Sequence, residues 1–375
     1  MLLYFDHAAT TPLDPRVAAA VAEAERDAWG NAASLHEAGR RAAAVVERAR
    51  ILVAQALHGS PEGVVFTSGG TEANNLALKG TLLLRPTGHL VTCAIEHPSV
   101  LEPARWLVSR GYGLTVLPVD GEGFVDPAAV EAAIRPDTVL VSIQTANNEI
   151  GTVQDLPSIG RICRDRGVCF HADACQSLTK VPIDVEACGL DLVTVNGHKM
   201  HGPKGVGALW VRPGVPLEPI LHGGGQEAGL RGGTTNTPAI AGLAMAIEAA
   251  SPEDVPRMEA LRDRILDAVL AWPGTRLNGP RHRRLPNHVS VVFPGVRAPD
   301  LVRALSDRGV AVSAGSACHA ARDIPSAVLS AIGRTPEESA STVRITVSRP
   351  TTSREVDALI PVLEACVRRL RRAGT

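Results

Sequence analysis

Between residues 62 and 212, short β-branched runs alternate with Ala-rich stretches: GVVFTS, HLVTCAIEH, LTVLPVD, TVLVSIQT, GVCFHADAC, DLVTVNGHK and GVGALWVR. Apolar runs this short predict strands buried on both faces. Apolar residues at helical spacing predict helices over 14–29, 36–57, 71–84, 98–110 and 158–166. Strands alternating with helices make this an α/β chain with a mostly parallel central sheet flanked by helices. In such sheets the functional groups gather in the loops beyond the carboxyl ends of the strands.

After the glycine-rich segment HGGGQEAGLRGGT and a helical stretch near 237–250, the Pro- and acid-containing break SPEDVP marks a boundary. Beyond it the pattern turns α+β: a helix over 256–271, a strand NHVSVVF, a helix over 299–308, a loop holding Cys318, a strand TVRITVS and a last helix from Ser353. The predicted division is a large domain over 13–253 and a smaller α+β domain made of 1–12 and 254–375.

Composition narrows the partners. Lys+Arg 38 against Asp+Glu 39 gives a net charge of -1, which provides no overall field for nucleic acid or an anionic membrane and leaves small molecules as the expected partners. The 7 cysteines include no C-x-x-C pair, so neither a zinc site nor a disulfide framework is expected. MLLYFDHAATTP lacks a basic n-region and a long apolar core, and no apolar run reaches the ~18 residues of a membrane span. The expected setting is cytoplasmic.

Five strand ends carry polar groups toward one rim. Lys199, in TVNGHKMHGPKG, follows an apolar run and precedes glycine-rich backbone; burial there would lower the amine's pKa and make it a nucleophile, whereas a surface lysine is the plainer reading. Asp173 and Gln176, in FHADACQ, are either helix-capping groups or the partners of a pyridinium ring. FTSGGTEANN runs strand, Gly-Gly, Thr, helix, which fits a phosphate at a helix N-terminus as well as an ordinary turn, and matches neither nucleotide fingerprint. His97 in AIEHPSV and Asn148 in TANNEIG are turn residues or site residues. Cys318 stands alone among Gly, Ala and Ser in VAVSAGSACHAARD, a setting that suits a reachable thiol.

Taken in order, YFDHAATTPLDPRV, FTSGGTEANNLALKG, EHPSVL, NNEIGTVQDL, FHADACQSLTKVPIDV, GHKMHGPKGVGALWVR, GGGQEAGLRGGTTN, SAGSACH and VRITVSRPTT resemble the cysteine desulfurases over nearly the whole chain. These are pyridoxal-phosphate enzymes of the aspartate-aminotransferase fold, fold type I. The resemblance implies that Lys199 binds the cofactor covalently and later moves the substrate Cα proton. It implies that His97 stacks on the ring and that Asp173 pairs with the ring nitrogen. Gln176 would bond the phenolic oxygen. Gly70, Thr71, Asn196 and His198 would hold the phosphate, with Thr234 reaching in from a second subunit of a homodimer. Asn148 and Arg344 would grip the carboxylate of L-cysteine, and Cys318 would take its sulfur as a persulfide and deliver it to an acceptor or scaffold protein.

The spacing from Cys318 to PSAVL resembles the subgroup with the longer, flexible cysteine loop, and its small residues suit a thiol that travels. The chain departs from the family pattern at three positions: Gly70 where Ala is usual, Asn196 where Ser is usual, and Ser348 where Gly is usual. The alternatives are a selenocysteine lyase, another pyridoxal-phosphate lyase or aminotransferase of the same family, and a weakly active scaffold for a sulfur-transfer partner. Iron–sulfur clusters and tRNA thiolation are both possible destinations of the sulfur.

Overall fold

The structure, a computed structural model, describes residues 2–315 and 326–373. Cys318 and its neighbours 316–325 lie outside the described residues. All 7 runs singled out between residues 62 and 212 form one sheet, ordered Val64–Thr67, Gly207–Val211, Leu192–Asn196, Cys169–Asp173, Thr138–Ser142, His89–Cys93 and Gly113–Leu117. The last five in that order pair in parallel. Gly207–Val211 runs antiparallel to both of its neighbours, so Val64–Thr67 again points the same way as the parallel set. Six carboxyl ends therefore meet one rim, and Gly207 begins its strand there, packed on the backbone of Gly69.

Successive side chains point to opposite sides, and both sides of the sheet are buried except along the edge strand Gly113–Leu117. Val64, Phe66, Val91, Val141 and Val193 belong to one core with helices Glu37–Ala56, Leu156–Arg166 and Thr237–Glu248. Val65, Leu90, Leu140, Leu192 and Leu209 belong to another, against helices Gly70–Leu82 and Pro98–Val108. Helix starts follow from local chemistry: Asp14, Asp126 and Asp155 accept first-turn N–H groups and a proline follows each.

A further core packs helices Asp254–Leu270, Ala298–Ser306 and Ser353–Ala373 on a 4-stranded antiparallel sheet ordered Ser313–Ala314, Thr342–Thr346, His288–Val292, Arg276–Leu277. Phe5 belongs to this core, and the short strand Leu3–Tyr4 pairs in parallel with Val310–Ala311. The chain then bridges from Asp6 to Thr346 and runs on to the rim of the large sheet. Among the described residues no helix is long and apolar enough to cross a membrane.

Candidate active site

Lys199 lies three residues past strand Leu192–Asn196, and its Nζ donates to the carbonyls of Ala8 and Ala9, the latter at 2.6 Å. The Ala8 carbonyl also accepts from Gln176 Nε2 at 2.9 Å. Thr11 closes the arrangement by donating its N–H and hydroxyl to the His198 carbonyl, at 3.0 and 2.9 Å. The N-terminal segment is thus a wall of the site, held by backbone carbonyls that no residue type announces. Burial, and then the nearby Arg344 guanidinium, push the Lys199 amine down to about 8, against an ordinary value near 10.5.

That shift has a direct consequence. Burial and a neighbouring cation both disfavour the ammonium form, so the nucleophilic neutral amine predominates above about pH 8. Cofactor-free protein mixed rapidly with pyridoxal phosphate is expected to capture it at a rate that rises about tenfold per pH unit and levels off near that value. A pH-independent rate from mildly acidic to mildly alkaline solution would contradict the assignment of Lys199 as the capturing amine.

Asp173, buried at the end of its strand, accepts from Asn74 Nδ2 at 2.7 Å and from the Cys175 N–H at 2.9 Å. Asn74 Nδ2 also donates to Ser99 Oγ at 2.8 Å, and Ser99 Oγ lies 2.7 Å from His97 Nδ1. The Ser99 N–H donates to the same Nδ1 at 3.1 Å, which makes that nitrogen an acceptor. His97 therefore carries its proton on Nε2, the Ser99 hydroxyl donates to the ring, and a continuous chain joins His97 to Asp173. Burial lowers the His97 pKa, against an opposing effect from Asp173. Asn74 and Ser99 escaped the sequence reading.

Arg344, on strand Thr342–Thr346, is 2% exposed and brings the second sheet to this rim. It donates to the Asn148 carbonyl at 2.8 Å and to Asp6 Oδ1 at 2.9 Å, while its buried Nε has no partner among the described residues. His288 Nε2 lies 3.0 Å from the same Asn148 carbonyl, so it donates there. The Asn148 side chain, half-buried, is left without a hydrogen-bond partner among the described residues. A buried guanidinium with a free amide nearby can bind a carboxylate.

At the other end, helix Gly70–Leu82 starts without a side-chain cap, on Gly69 at φ 150. Its first N–H groups point outward with the positive end of the helix dipole. Thr71 is exposed, and the buried Asn196 amide lies beside Gly70 with its Oδ1 unpartnered among the described residues. His198 Nδ1 is 3.2 Å from Thr10 Oγ1, and burial and Lys199 hold the ring's pKa down to about 4. The residues fit pyridoxal phosphate: an uncapped helix N-terminus with the Asn196 Nδ2 donor beside it for phosphate, Asp173 for the ring nitrogen, and a half-buried amine for the aldehyde.

Thr234 is exposed and is not brought to this cluster. Ser348, one of the departures from the family pattern, has a partner: its Oγ lies 2.6 Å from His201 Nε2. His201 Nδ1 is 2.9 Å from the Pro12 carbonyl, which can only accept, so Nδ1 holds the proton and the Ser348 hydroxyl donates to Nε2.

Residues 3–359 match the family model for aminotransferase class-V. A protein of Archaeoglobus fulgidus named cysteine desulfurase IscS 1 is 43% identical over 98% of this chain and 97% of its own length. A cysteine desulfurase IscS of Dictyoglomus turgidum is 40% identical over 98% of this chain and 95% of its own. Among solved structures, a NifS-like protein superposes with a TM-score of 0.91 at 36% identity, covering 99% of both chains. A structure described as SspA in complex with cysteine has a TM-score of 0.84 at 38% identity, covering 92% of this chain and 99% of that one.

Proposed function

Because the chain belongs to the class-V aminotransferase family and, within it, to the cysteine desulfurases, we propose that it moves the sulfur of L-cysteine onto Cys318 as a persulfide, releases L-alanine and hands the sulfur to an acceptor. The enzymes of this family depend on pyridoxal phosphate, which supplies an electron sink for negative charge at the substrate Cα. The observation that carries the residue assignment is the convergence of a half-buried amine, Lys199, with a buried guanidinium, Arg344, on the rim that also bears Asp173 and His97.

Each group then has one task. Arg344 and the Asn148 amide bind and orient the substrate carboxylate. Asp173, kept in place by Asn74 and the Cys175 N–H, holds the proton on the ring nitrogen. The Gln176 amide, anchored on Ala8, would bond the phenolic oxygen, and the His198 ring, Gly70, Thr71 and Asn196 would hold the phosphate. Lys199 Nζ binds the cofactor and moves the proton at the substrate Cα, while His97, with its proton on Nε2, assists proton transfer. The Cys318 sulfur attacks the substrate sulfur. As the C–S bond breaks, its electron pair passes to carbon and a proton takes the place of sulfur at Cβ. The two sulfurs form the persulfide, so no external oxidant is required.

A homodimer is part of this reading. Trp29 and Leu35, which lie between the first two helices, are 70% and 90% exposed, and the glycine-rich segment holding Thr234 is exposed too. Apolar exposure of this kind supports a second copy that covers these residues and receives Thr234 at its own phosphate site. Transfer from Cys318 to an acceptor protein belongs to the same reading.

With L-cysteine and dithiothreitol, purified protein is expected to be yellow and to release alanine and sulfide in equal amounts. Cys318→Ser is expected to lose both products. A colourless protein that takes up no pyridoxal phosphate, or a Cys318→Ser variant that forms both products at the wild-type rate, would overturn the reading.

A further inference from the structure

Gly69 and Gly70 are adjacent, yet they are glycine for different reasons. Gly69 has φ 150, a backbone shape that L side chains rarely adopt, and open space where a Cβ would sit. Gly70 has no such φ, so its conformation does not require glycine, and a helix start would tolerate alanine better. A Cβ there would instead lie 2.5 Å from Cys175 Sγ, with Asn196 Nδ2 at 3.6 Å and Thr194 Cγ2 at 3.8 Å. The Cys175 sulfur occupies the volume that a side chain at residue 70 would need.

Cys175 is equally bound to the opposite end of the site. It stands two residues past Asp173, and its N–H donates to Asp173 Oδ1 at 2.9 Å. Burial and the Asp173 charge push the Cys175 pKa well up, which keeps the sulfur protonated. It is a neutral packing group.

We propose that Gly70 and Cys175 are an interlocked pair, in which the Cys175 thiol is a positioning residue that fixes the helix N-terminus receiving phosphate against the Asp173 carboxylate receiving the ring nitrogen. This deepens the cofactor assignment given above and rests on it. Two positions far apart in the chain are then coupled. Filling residue 70 while the sulfur remains forces one end of the floor off the other, whereas filling residue 70 and removing the sulfur restores the volume.

The test is cofactor affinity, measured by titrating cofactor-free protein with pyridoxal phosphate, together with the pH midpoint of the bound cofactor's absorbance change. Gly70→Ala is expected to weaken binding about tenfold or more. The double variant Gly70→Ala with Cys175→Ala is expected to return to within about threefold of wild type. Cys175→Ala is expected to shift the absorbance midpoint, whereas Cys175→Ser, which keeps a side-chain atom where the sulfur packs between residue 70 and Asp173, is expected to stay near wild type. If Gly70→Ala does not fold, recovery of folded, cofactor-binding protein by the double variant carries the same information. Wild-type affinity in Gly70→Ala, a double variant no tighter than Gly70→Ala, or equal midpoints in Cys175→Ala and wild type would overturn the pairing. Failure of wild-type protein to bind pyridoxal phosphate at all would instead remove the cofactor assignment itself.

Discussion

Lys199→Ala is expected to bind pyridoxal phosphate without fixing it: borohydride treatment leaves the cofactor attached to wild-type protein and removable from the variant. Turnover of L-cysteine is expected to fall by at least roughly 10²–10⁴-fold, the range a positioned acid–base group supplies. The chain holds four lysines, Lys79, Lys180, Lys199 and Lys204. Lys79 packs over the Trp106 ring. Lys180 is buried with an amine held down to about 7, but its Nζ is committed to the carbonyls of Gln176 and Lys199, at 2.8 and 3.2 Å. Lys199 alone among these three combines a lowered pKa with a position beside Arg344. Covalent attachment that persists in Lys199→Ala would mean that another amine does this work.

Arg344→Gln is expected to lower kcat/KM for L-cysteine by about 10²-fold, most of it in KM. Each charge-assisted hydrogen bond to a carboxylate contributes roughly 1.5–3 kcal/mol, and ~1.4 kcal/mol is tenfold. The loss has a second source: Asp6, which pairs with Arg344 at 2.9 Å, would be left as an uncompensated anion facing the incoming carboxylate. Adding Asp6→Asn to Arg344→Gln is therefore expected to recover part of the affinity but not the fork. A variant with unchanged KM and only reduced thermal stability would show that Arg344 ties the two sheets together without binding substrate.

The strands and most helices could be read from the chain because the inner strands of the large sheet are buried on both faces, which turns them into apolar runs. The short pieces were hidden for the opposite reason. Leu3–Tyr4 and Arg276–Leu277 hold two residues each and exist only through their pairing partners. In the site, residues at strand ends were visible because topology sends strand ends to one rim. Asn74 was not: it stands beside Asn75 in TEANNLAL, and only the rotation of the helix turns Asn74 to Asp173 while Asn75 bonds back to the Thr71 carbonyl. The carbonyls of Ala8 and Ala9, which hold Lys199, are invisible to any reading of side chains. Gly70 appeared as a departure from the family pattern, and its explanation lies about a hundred residues away, at Cys175.

Cys318 is the one assigned residue outside the described residues, so its role stands on the resemblance and on the site that it would serve. The most direct measurement is mass spectrometry of the peptide containing Cys318 after the yellow protein has met one equivalent of L-cysteine with no reductant present. The expected result is a gain of one sulfur atom on Cys318, with an equal amount of alanine in solution. Alanine formed with the extra sulfur on another cysteine, or on none, would contradict the account.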